Sequence, residues 1–138
     1  MADRIDALIA LLKADAGVAA LAGARVFGGE LPPGEAAAMP RHAIVLRPSG
    51  GASLTGGSYA EHDTGRVDLF AYGATPAEAN ALRTAAALAL RRVRRAVWAG
   101  VLVHWVRPAG GESSGREPAV DWPRSFQSFQ VFNSLTEV

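Results

Sequence analysis

Apolar residues recur at helical spacing near the start of the chain and again in its middle, with alternating or clustered apolar runs between and after them. From Asp3 to Ala14, Ile5, Leu8, Ile9 and Leu12 fall on one face, with Asp3 placed as the cap. Asp15 then caps a second short turn, Gly17 to Leu21, closed by Gly23. The longest periodic stretch is Thr75 to Arg95. Thr75 and Glu78 form a capping box, and Pro76 suits the first helical position. Leu82, Ala85, Ala86, Ala89, Val93 and Ala96 share one face of that helix. Asn80, Arg83, Thr84, Ala87, Arg91, Arg94 and Arg95 share the other, and Leu88 and Leu90 sit on the flanks.

Extended segments surround this helix. Arg25 to Phe27 is a short extended piece ended by Gly28 and Gly29, and Ala43 to Arg47 is a compact apolar strand. Glu61 to Tyr72 reads as a long strand with Val67, Leu69 and Ala71 on one side. Val101 to Arg107 and Phe126 to Leu135 complete the set, with apolar residues on both faces. Three segments read as loops from their Gly, Pro and Ser content: Glu30 to Arg41, Pro48 to Ala60, and Pro108 to Arg124, the last with an isolated Trp122 as its aromatic anchor. The expected architecture is α+β: a mainly antiparallel sheet packed against one long helix, with N-terminal helices. At 138 residues, and without an internal repeat, the chain is expected to be a single domain over residues 1–138.

Composition narrows the chemistry. The chain is 49% apolar and 20% charged with a net charge of +1, so nothing marks it as a whole-surface nucleic-acid binder. It has no cysteine, which removes disulfides, thiolate catalysis and cysteine metal sites. No apolar run reaches the roughly 20 residues of a membrane span, and the start of the chain, with Asp3 and Asp6, does not read as a signal peptide. His42, His62 and His104 share no metal-ligand spacing. Glu61, His62 and Asp63 could hold a cation, but such charges also suit a solvated strand start. The glycine pairs at 50–51 and 56–57 lack the lysine and helix of a phosphate loop, and Ser49, Ser113 and Ser114 lack a nucleophile context. The expectation is a non-enzyme without metal or cofactor.

The sharpest local charge is Arg91, Arg92, Arg94 and Arg95. Cations at a helix C-terminus are favoured by the macrodipole whatever else they do. The same arginines could contact DNA phosphates or acids of a neighbouring subunit. For the second role the candidate interface residues are Arg91, Arg94 and Arg95, with Glu112, Glu117 and Asp121 as acids and Trp122 beside them.

Several stretches, in order, resemble the tail-completion or tail-terminator family of long-tailed bacteriophages and gene transfer agents. They are LLKADAGVAALAGARVF, the Pro-rich ELPPGEAAAMPRHAIVL, the strand GRVDLFAY, the AEANALR helix and the closing RSFQSFQVFNSL. The resemblance implies a structural virion protein with no catalytic residues. It implies a homo-oligomeric ring, usually hexameric, assembled in the bacterial cytoplasm and placed in the tail or neck. The ring would end tail-tube growth, with the tail-tube protein on one side and a head-tail connector or stopper on the other. DNA would pass through without tight binding, and no membrane would be involved. Another neck component, such as a connector stopper or tail-assembly factor, is the alternative within this setting. A small-ligand α+β domain or enzyme is the alternative outside it.

Overall fold

Side-chain caps start the three longest helices among the described residues. Asp3 accepts from the Ile5 amide and opens α1 (Arg4–Ala14), and Asp15 accepts from the Val18 amide and opens α2 (Ala16–Ala22). Thr75 and Glu78 form the full capping box that opens α4 (Pro76–Arg91). The computed structural model describes residues 3–50 and 61–138. A four-residue helix, α3 (Pro33–Ala36), lies within the Pro-rich segment that reads as loop. The expected loop over Pro48 to Ala60 falls outside the described residues from position 51 onward, and Pro48, Ser49 and Gly50 belong to a strand.

The strands are β1 (Val26–Gly28), β2 (Ala43–Gly50), β3 (His62–Tyr72), β4 (Ala96–Trp98), β5 (Val101–Arg116) and β6 (Pro123–Ser134). They form one six-stranded sheet in the order β1-β2-β3-β6-β5-β4. The sheet is mixed: β1 and β2 run parallel, and the other neighbours are antiparallel. The parallel pair follows from the long Gly29–His42 connection carrying α3, which returns the chain in its original direction. The central β3–β6 pair runs in register from His62 opposite Ser134 to Tyr72 opposite Arg124.

One face of the sheet holds Ile44, Leu46, Val67, Leu69, Phe129 and Val131, all fully buried or nearly so, beneath α4. The expectation of one long helix over the sheet is too simple. Ala7, Leu8, Leu11 and Leu12 of α1, and Val18 and Ala22 of α2, belong to the same core. A broad apolar sheet face needs more cover than one helix stripe provides.

Two further corrections bear on the site. The central helix stops at Arg91 rather than running to Arg95. Arg95 takes a left-handed φ of 45°, and Ala96 enters β4. Ala99 and Gly100, at φ 49° and 77°, turn β4 back onto β5 as a tight hairpin. Here cross-strand pairing overrides the helix propensity of arginine and alanine. The segment Pro108 to Arg124 is mostly not a loop either. β5 continues through it to Arg116, and β6 begins at Pro123. Ser113, Ser114 and Gly115 pair with Phe126, Ser125 and Arg124, so a Gly- and Ser-rich run is held extended by its partner strand.

Candidate functional site

The helix-end arginines survive as a cluster, arranged by the break after α4. Arg91 and Arg92 are exposed at the helix end. Arg94 folds back, its Nη1 donating to the carbonyls of Arg91 at 2.8 Å and Val93 at 2.9 Å. It therefore serves orphan carbonyls of the last turn. The Arg95 amide donates to the His104 carbonyl at 3.2 Å. Between this corner and β5 lies a groove of about 520 Å³ lined by Arg91, Arg94, His104, Trp105 and Arg107 among others. The Arg107 guanidinium lies 4.2 Å from the Trp105 ring centre.

The three candidate acids lie elsewhere and have cations in their own chain. Glu112 meets Arg83 at 2.8 Å. Glu117 meets Arg124 at 2.7 Å and accepts from the Tyr72 hydroxyl at 3.1 Å. Asp121 sits 3.8 Å from Arg116, a loose surface pair. Trp122 is half-buried and packs edge-on to Tyr72 at 6.0 Å. Burial, then the neighbouring Glu117 carboxylate, pushes the Tyr72 hydroxyl up to about 12. None of these acids lines the arginine groove.

Sequence periodicity places Arg83 on the outer face of the helix, yet it is buried, 6% exposed. Its guanidinium donates to Ser125 Oγ and Gln127 Oε1 at 2.9 Å and to Asn80 Oδ1 at 3.0 Å, besides pairing with Glu112. The distal half of the β5–β6 hairpin buries a residue that an isolated helix would leave in water. No pattern local to the helix announces this.

The structure also joins residues distant in sequence on the opposite face of the sheet. His104 Nε2 lies 3.1 Å from His62 Nδ1, and His104 stacks on Phe132 at 4.6 Å. Desolvation, then His62 and Arg95, holds His104 below the usual histidine range. Phe70 packs against Phe126 at 5.2 Å, with Arg47 and Arg124 over its ring. Among the described residues no three His, Cys, Asp or Glu side chains could share a metal ion, so Glu61, His62 and Asp63 do not form such a set. No described helix is long and apolar enough to cross a membrane.

A family model described as "Tail completion protein gp17" matches residues 6–133, nearly the whole chain. The chain belongs to the tail completion protein gp17 family. Membership makes it a structural component of a phage-type tail rather than an enzyme. No curated protein matches the sequence. Among solved structures, a chain of the "Virion of native gene transfer agent (GTA) particle" superposes with a TM-score of 0.73 at 20% identity. The match covers 94% of this chain and 93% of the other. At that identity it shows that this family member and the virion chain share a fold.

Proposed function

We propose that this tail completion protein forms a closed, hexameric ring at the head-proximal end of a phage-type tail. There it terminates the tail tube and joins the tail to the head connector. The observation that carries the reading is the extent of the family match, residues 6–133, which takes in every strand but the last residue of β6 and all but the first two residues of α1. The shared fold supports it, since the matched chain is by its title part of a virion and the two align over almost their full lengths. In this reading the chain acts as a single domain, and Arg91, Arg94 and Arg95 face a neighbouring subunit. The net charge of +1 suits a ring through which DNA slides, because tight binding would need many more phosphate contacts.

Deleting the gene tests this. The mutant should produce DNA-filled heads together with tails that are unattached or irregular in length. Normal tails on normal heads would refute it. Tails of normal length that fail only to attach would favour a connector stopper instead.

A further inference from the structure

The two edges of the sheet differ in charge, one rich in exposed arginines and the other with two exposed acids, unpaired among the described residues, and a head-to-tail ring requires two unlike surfaces on each subunit. On the β4–β5 edge, the groove beside α4 is lined by Arg91, Arg94 and Arg107 with His104 and Trp105, and among the described residues no carboxylate lines it. Arg92 and Arg95 are exposed next to it. Among the described residues neither Arg91 nor Arg107 makes an ion pair.

The β1 edge lies at the other end of the strand order. There a second groove of about 540 Å³ runs between the first turn of α1 and the end of β1, and Asp3, Asp6, Gly28 and Gly29 line it. Arg4 also lines it, but its Nε is drawn to Asn133 Oδ1 at 2.8 Å. Asp6 and Glu30 are exposed, and neither makes an ion pair among the described residues. Arg25 and Arg47 are the further cations near this edge; Arg25 donates to the His42 carbonyl, and Arg47 donates to the Gly29 carbonyl and lies over Phe70.

We infer that the arginine groove on the β4–β5 edge receives Asp6 and Glu30, the exposed acids of the β1 edge, from the next copy of this chain. The inference rests on the ring reading and supplies its contact. Such a contact repeats by rotation, each copy offering one edge and accepting the other. It uses acids distinct from Glu112, Glu117 and Asp121, which have cations within the subunit. Trp105 and the flanking Arg107 add an aromatic and cationic wall of the kind enriched at interface centres.

Two charge-reversed chains test the pairing. One is Arg91→Glu/Arg107→Glu and the other is Asp6→Arg/Glu30→Arg. Arg94 is left in place because it caps α4. The full chain should form a closed oligomer by native mass spectrometry. Each reversed chain alone sets like charges against each other, so its half-assembly concentration should rise at least about tenfold. An equimolar mixture should assemble again as an alternating ring with an even number of subunits, since each reversed edge then meets its complement. Either reversed chain assembling like the wild type overturns the inference. So does a mixture that stays unassembled while both chains are folded by circular dichroism. Arg91→Glu alone is the milder variant, read the same way, should the pair unfold. A wild-type chain that stays monomeric at every concentration would instead remove the ring reading itself.

Discussion

Arg83→Ala should be among the most damaging single changes outside the apolar core. The side chain is 7% exposed and bridges α4 to both strands of the β5–β6 hairpin. Truncating it strands Ser125 and Gln127, which are themselves buried. Leaving a buried partner of a charged hydrogen bond unsatisfied costs about 1.5–3 kcal/mol. Asn80 and Glu112 are exposed and recover water, so they add little. Relief of the buried guanidinium's own desolvation offsets part of the loss, which leaves about 3 kcal/mol. With a urea slope of roughly 2 kcal/mol per molar for a domain of this size, the midpoint should fall by roughly 1.5 M. Glu112→Ala should cost under about 1 kcal/mol, because that carboxylate is 60% exposed. Urea unfolding of the isolated subunit, followed by circular dichroism at equal slope, gives both values. The triple variant Arg83→Met/Ser125→Ala/Gln127→Leu removes donors and acceptors together and should recover most of the stability. Arg83→Ala costing no more than Glu112→Ala would refute the buried network.

Leu82→Asp places a charge at a fully buried position and should unfold the subunit, whereas Arg91→Ala on the exposed helix end should cost well under about 1 kcal/mol; equal damage in thermal melts would contradict the helix phase. Gly73→Ala should destabilise by about 1–3 kcal/mol in the same melts. Its new Cβ would come within 2.5 Å of the Ala79 amide nitrogen, which is backbone and cannot swing away. Tyr72 titrates at about 12 in the folded chain against 10.0 ordinarily, so folding favours its neutral form. Its contribution is therefore complete below pH 10.0 and is lost as pH rises from there through about 12. Ultraviolet titration should show a late phenolate step that Tyr72→Phe abolishes, and retention of that step in the variant would assign it to another group.

The features legible in the sequence are those set by near neighbours in the chain. Asp3, Asp15 and the Thr75–Glu78 box start helices through contacts within one turn, and each stands where its spacing places it. Val67, Leu69 and Ala71 point into the core as their alternation requires. The features that were not legible depend on distant partners. Pro108 to Arg116 has no apolar alternation and is a strand only because β6 lies beside it. Arg83 follows a helical wheel onto a polar face and is then covered by Ser125 and Gln127 from more than forty residues away. Arg94 and Arg95 have ordinary helix propensity, but pairing of Ala96, Val97 and Trp98 with β5 ends the helix first. The arginine groove was half visible: the cations stand together in sequence, but only the fold brings Trp105 and Arg107 to them and takes Glu112, Glu117 and Asp121 away.

The irregular path of β5 has a consequence for the subunit before it meets any partner. β4 spans only Ala96–Trp98 and pairs no further along β5 than Val103, so β5 beyond it is an edge strand among the described residues. A flat edge of that length would template aggregation by adding one copy after another through backbone hydrogen bonds. β5 shifts register between Val103 and Trp105 and again between Pro108 and Glu112. Pro108 has no amide hydrogen to give, Gly110 sits at φ 135°, and the exposed Arg107 and Arg116 flank the kinked stretch. An incoming strand therefore meets an interrupted ladder and charged side chains. Backbone pairing of one β5 edge with another is therefore disfavoured along this stretch, and any contact made here has to be made by side chains.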